Sequence, residues 1–174
     1  MIRFSILFLF IALQVFALTP EQLKVLQTVR DVARTIPDYK GETYENTLAA
    51  ICLTESSAGK NIIGDFKKGI IITKASLGTM QIQVATARYI SSRIKTLKWI
   101  NTLSDAQIAN KLLTDVKTSA QISAYYLTIL KKSRKHYFNM ISGYNGGFSN
   151  SPYYKRVMKN MKLLDKYVKN GQLI

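Results

Sequence analysis

Helix-capping residues recur along this chain, and that bracketing restricts its fold more than any other feature. Residues 19–37, TPEQLKVLQTVRDVARTIP, begin with Thr19 as N-cap, Pro20 at the first helical position and Gln22 completing a capping box, and they stop at Pro37. Ser104 with Gln107 repeats the box, and Ser151 with Pro152 opens a last helix. Apolar residues keep helical spacing between these marks. Residues 115–134 carry Ala120, Ala124 and Leu127 on one face, and the last helix carries Val157, Met161, Leu164 and Val168. Helical spacing also runs from Val84 through Trp99. One stretch breaks the period. In NIIGDFKKGIIITKASLG, residues 61–78, glycines punctuate short β-branched runs, the pattern of a small hairpin or extended loop. The sequence therefore predicts a mainly α fold, a single helical domain with a small β-hairpin or irregular insert.

The 174 residues suffice for one domain with a real core, and no repeat, low-complexity tract or linker divides them. Residues 1–17, MIRFSILFLFIALQVFA, start with one positive charge at Arg3, continue as an apolar run and finish with Val15 and Ala17 at small-residue cleavage positions. They read as a secretory signal peptide, with 18–174 as the working domain. An uncleaved anchor is the alternative, since the run is only slightly shorter than a membrane span. Either way the remainder is exported, which predicts a periplasmic protein. Cys52 is the sole cysteine, so no internal disulfide can form and stability must come from the core. Its apolar neighbours mark it as a small buried hydrophobe. The formal charge of +15 falls to +14 without Arg3, a balance that predicts attraction to a polyanion. The cations are spread through every segment and the chain is exported, so a cell-envelope polymer fits better than nucleic acid.

Several chemistries drop out. One histidine, His136, and one cysteine cannot build a zinc site of the usual composition, and no phosphate-cradling glycine loop ending in Lys-Ser or Lys-Thr is present. No Gly-x-Ser-x-Gly elbow supports a serine hydrolase. No metal and no cofactor are expected. What remains is the stretch AICLTESS, residues 50–57. Leu48, Ile51, Cys52 and Glu55 recur at spacings of three and four, which puts the glutamate on the apolar face of a helix over 43–57. A carboxyl held against an apolar wall has its charged form disfavoured and can serve as a general acid, as protonation of a glycosidic oxygen requires. The competing reading turns Glu55 outward at a frayed helix end to pair with Lys60.

Three further stretches bear on that choice: SLGTMQIQVATAR at 76–88, SGYNGG at 142–147 and YYKRV at 153–157. With Glu55-Ser56, they supply Gly78-Thr79-Met80-Gln81-Ile82, Tyr144-Asn145-Gly146-Gly147, and Tyr153 four residues before Val157. In this order the chain resembles the lytic transglycosylases related to goose-type lysozyme, over roughly residues 40–160. It departs at Gly143, where the family pattern has alanine, and at Thr79, where leucine is common. Neither side chain is expected at the reacting bond.

The resemblance implies a lysozyme-like fold with the insert beside the cleft. It also implies peptidoglycan glycan strands as substrate and cleavage of the β-1,4 bond from N-acetylmuramic acid to N-acetylglucosamine. Glu55 would be the catalytic acid and then base. Ser56 and Gln81 would hydrogen-bond near the scissile sugar, Met80 would form apolar wall, Asn145 would hold a substituent, Tyr144 would pack beneath the turn and Tyr153 would orient Glu55. No second carboxylate is needed, although Asp65 is the nearest downstream candidate for one. A small member of this family would serve a secretion, pilus or conjugation machine, in contact with the membrane at most peripherally. Three alternatives stay open: a goose-type muramidase that hydrolyses the same bond, a non-catalytic peptidoglycan-binding component of a secretion system, and a membrane-active toxin built on the basic last helix.

Overall fold

The computed structural model describes residues 17–64 and 71–174. The expected signal peptide, but for Ala17, and Asp65 lie outside them. Among the described residues the helices are α1 (Pro20–Arg34), α2 (Glu45–Ser56), α3 (Val84–Ser91), α4 (Asp105–Thr114), α5 (Val116–Arg134), α6 (Tyr137–Tyr144) and α7 (Ser151–Lys169). A two-stranded antiparallel hairpin, β1 (Ile63–Gly64) with β2 (Ser76–Leu77), sets Ile63 opposite Leu77 and Gly64 opposite Ser76. The architecture is a helical domain with a small β insert, and no described helix is long and apolar enough to cross a membrane.

The caps act as their residues require. Thr19 and Gln22 form a reciprocal capping box at α1, and Ser104 and Gln107 form another at α4. The Gln22 amide also donates to the Ser57 carbonyl at 2.8 Å, tying the start of α1 to the end of α2. At α7 the cap is Asn150, one residue before the expected Ser151; its side chain accepts from the Tyr153 N–H at 3.1 Å.

Helix α2 differs from the one-faced helix its spacing predicts. Six consecutive residues, Thr47 to Cys52, are buried. Helices α1, α5 and α7 surround it, and a helix covered on all sides has no solvent stripe. Asn160 of α7 donates to the Thr54 hydroxyl at 2.8 Å, and Thr47 shares a 2.8 Å hydrogen bond with Tyr137. Glu55 therefore reaches the surface because it stands in the last turn of a buried helix, where the enclosing helices stop.

The helical run from Val84 to Trp99 also divides. Helix α3 stops at Ser91, and Lys95–Thr102 is a 3-10 segment. The Ser91 and Ser92 hydroxyls donate back to the Arg88 and Tyr89 carbonyls, and such local bonds compete with the helical ladder. The break turns Ile90, Leu97 and Ile100 together into the core.

Candidate active site

Where α2 ends, the backbone takes three successive left-handed residues, Ser57, Ala58 and Gly59. Two of these carry a Cβ, and such conformations persist only where surrounding contacts over-determine them. The Ser57 and Ala58 N–H groups donate back to the Leu53 and Cys52 carbonyls, and Ala58 is buried. Ser56 is the pivot. Its fully buried hydroxyl accepts the Gly59 N–H at 2.8 Å and lies 2.7 Å from the Thr79 carbonyl oxygen, to which it donates. Ser56, expected to hydrogen-bond near the scissile sugar, is fully buried and is not among the cleft-lining residues. Its hydrogen bonds are spent on joining the α2 terminus to the loop that carries Gln81.

That loop, Gly78–Gln81, is closed by reciprocal backbone hydrogen bonds between Leu77 and Ile82. Gly78 has φ +74°, and a Cβ there would fall on the Leu112 carbonyl, so only glycine fits. Gln81 itself holds φ +50°, and its amide nitrogen donates to the Gly78 carbonyl at 2.9 Å. The curl brings the glutamine side chain to the cleft. Met80 points the opposite way and is fully buried, so it supports the loop from within instead of walling the sugar site.

Tyr144 closes α6, and its hydroxyl donates to the Met80 carbonyl at 3.0 Å while lying 2.9 Å from the Ser123 hydroxyl. It thus clamps the same loop from α5 and α6. Burial first, then the negative charge of Glu55, raises its phenol well above the ordinary range, which keeps it a donor. Asn145 follows on the exposed rim, its amide oxygen accepting from Asn150 at 2.9 Å.

These elements enclose a cleft of about 460 Å³ whose lining includes Glu55, Ser76, Gln81, Tyr126, Tyr144 and Asn145. Glu55 is half-buried and is the one carboxylate among the described lining residues. The Tyr153 hydroxyl donates to its Oε1 at 2.6 Å across 98 positions of chain. Tyr153 is 1 % exposed; burial, then the Glu55 charge and this hydrogen bond, hold its phenol protonated far above the usual tyrosine range. The carboxylate accordingly has a fixed donor on one oxygen and the cleft before it. Cys52, one turn earlier, is no competitor, since burial pushes its thiol up to about 12.

A family model described as Transglycosylase SLT domain matches residues 36–165, from the end of α1 through most of α7. The chain belongs to that family. No curated protein and no solved structure matches it. SLT domains are peptidoglycan lytic transglycosylases, lyases acting on a cell-wall polysaccharide, and that activity fits a periplasmic or extracellular location. The helical, lysozyme-like fold agrees with the SLT assignment, and the matched span holds every residue of the cleft described above. Sequence reasoning missed Ser76, Gln83 and Thr86 as SLT cleft residues, because single polar residues in a short strand and an early helical turn carry no pattern of their own. Tyr126 reads from the sequence as an aromatic that either stacks on substrate or packs in the core. In the structure its ring lies 5.6 Å from the Tyr144 ring and lines the SLT cleft.

Proposed function

We propose that this SLT domain cleaves the β-1,4 bond between N-acetylmuramic acid and N-acetylglucosamine and closes a 1,6-anhydro ring on the muramic product, with Glu55 as acid and then base. The observation that carries the reading is the Tyr153–Glu55 hydrogen bond of 2.6 Å at the wall of a cleft with no second described carboxylate. A protonated Glu55 gives its proton to the glycosidic oxygen as the C1–O bond breaks. The acetamido oxygen of the muramic residue then bonds to C1, the role that a second carboxylate plays in most glycosidases. Glu55, now ionised and stabilised by the Tyr153 donor, takes the proton of the 6-hydroxyl while that oxygen attacks C1 and displaces the acetamido group. The carboxyl ends protonated, and no water is consumed.

Gln81 and Asn145, both in the cleft lining, are assigned by this reading to substrate hydroxyl and acetamido groups, Gln81 through its amide oxygen, since its N–H groups go to the Gly78 and Asn61 carbonyls, and Asn145 through its amide nitrogen. Ser56, Met80 and Tyr144 hold the loop that carries Gln81. Residues 1–17 serve as an export signal, and the formal charge of +14 on 18–174 draws the domain to the stem carboxylates of the sacculus. A domain of this size suits local opening of the wall for a secretion, pilus or conjugation machine; co-purification with a Glu55→Gln variant tests that association.

Digestion of purified sacculi tests the reaction. Mass spectrometry should find muropeptides ending in an anhydro ring from the native protein and none from Glu55→Gln. Reducing-end products would assign the hydrolytic alternative instead, and Asp65→Asn would then report whether that residue supplies the second carboxylate.

A further inference from the structure

A second cavity, of about 480 Å³, opens beside the catalytic cleft and shares Thr86 and Tyr126 with it. The two therefore adjoin. Its lining differs in kind. Ala85, Ile129 and Leu130 supply an apolar floor, and Arg134 supplies a guanidinium. That guanidinium is fixed: it donates to the Gly147 carbonyl at 3.0 Å, lies 5.0 Å from the Phe148 ring centroid and packs against Gly143. A Cβ on residue 143 would stand 2.8 Å from Leu130 and 3.4 Å from the guanidinium. The glycine that replaces the family's usual alanine thus leaves room for both. Among the described residues no carboxylate pairs with Arg134.

We propose that this cavity binds the stem peptide of the muramic residue held in the cleft, with Arg134 pairing a free stem carboxylate. The proposal rests on the reading of the cleft as a glycan site. A sugar ring presents hydroxyls on every edge and gains little from an aliphatic floor. A short peptide of alanine-like and acidic residues presents methyl groups and carboxylates together, which is what the floor and the guanidinium match. The stem leaves the sugar through the lactyl group at C3, close to the scissile bond, so a pocket that receives it must adjoin the catalytic one. A guanidinium preorganised by the Gly147 carbonyl and without an internal carboxylate can pair with a ligand carboxylate at little ordering cost.

Binding to the Glu55→Gln protein reads this site without turnover. Two tetrasaccharides are titrated by calorimetry, one carrying stem peptides and one stripped to its lactyl carboxylates. The stem-bearing ligand should bind about tenfold more tightly, in line with one charge-assisted pair in a partly open site. Arg134→Gln should remove that advantage. Ala85→Phe, made at an exposed position of α3 that fills the cavity floor, should remove it too without disturbing the Arg134–Gly147 contact. Equal affinity for both ligands would mean that the lactyl group or the sugar is what is read, and an advantage surviving both substitutions would place the stem elsewhere; either overturns the assignment. Stem-dependent binding by a protein whose native form yields reducing-end products would keep the site and remove the anhydro-forming reaction.

Discussion

Tyr153→Phe separates the chemistry of this site from its packing. The phenol ring is 1 % exposed and stays in place in the variant; only the hydroxyl 2.6 Å from Glu55 Oε1 is lost. A hydrogen bond to an ionised group contributes roughly 1.5–3 kcal/mol, about twice a neutral one. Glu55 gains its negative charge as the glycosidic oxygen takes the proton, so most of that contribution is realised in the transition state and not in the substrate complex. At about 1.4 kcal/mol per decade, kcat should fall roughly ten- to hundred-fold with KM little changed. The pH dependence has a definite sign. The first step needs protonated Glu55, so the rate declines on the alkaline side as the carboxyl ionises. Tyr153 favours the ionised form, and its removal moves that alkaline limb toward higher pH. The assay is the initial rate of anhydro-muropeptide release from sacculi across a pH series, with thermal unfolding of the same preparation. A variant with the native rate and an unmoved alkaline limb would refute the orienting role of Tyr153. A rate loss matched by an equally large loss of folded protein would reduce it to a structural contact.

Ser56→Ala removes the partner of the part-buried Gly59 N–H and leaves the Thr79 carbonyl with only the weak Cys52 thiol donor at 3.4 Å, so a stability loss of about 1–3 kcal/mol in urea unfolding is expected together with lost activity; lost activity at native stability would restore a direct contact with the sugar. Gly78→Ala drives a Cβ into the Leu112 carbonyl at a positive φ, and a loss of at least about 3 kcal/mol, or a Tm drop of roughly 6–12 °C, follows. Unfolding at native temperature would mean the loop yields freely. Stability should also fall on the acid side. Burial raises Asp38 and Asp115, but hydrogen bonds outweigh it: from Tyr44 and the Lys40 and Glu42 N–H groups to Asp38, and from the Thr118 N–H and hydroxyl to Asp115. Both carboxyls thus sit below their unfolded values, so their contribution is complete above about pH 4 and is lost as pH falls through the folded values. A Tm-against-pH profile of Asp38→Asn with Asp115→Asn should be flatter below about pH 4 than that of the native chain; a parallel profile would refute the assignment.

Local chemistry made the helices readable. A capping box spans four residues, and both boxes form where their side chains allow. The glycine-punctuated stretch between the second and third helices becomes a hairpin for an equally local reason, since glycines interrupt the helical period on either side of the β-branched runs. The motif residues were legible as types: a carboxylate at a helix end, a Gly-x-Met-Gln loop, a tyrosine-asparagine turn and a tyrosine opening the last helix. Their division of labour was not. Whether Ser56 and Met80 face sugar or core depends on the left-handed turn after α2 and on the φ of Gln81, and those depend on contacts with the Tyr144 clamp 64 residues beyond Met80. Spacing alone made α2 amphipathic, because a period of 3.6 records only which side chains are apolar and not how many sides of the helix are covered. The enclosure of α2 by three helices, the donor that α7 brings to Glu55 and the second cavity between α3 and α5 all join segments distant in the chain. Residue type and short-range period set the elements and the available chemistry; long-range packing alone set which side chain turned toward the cleft.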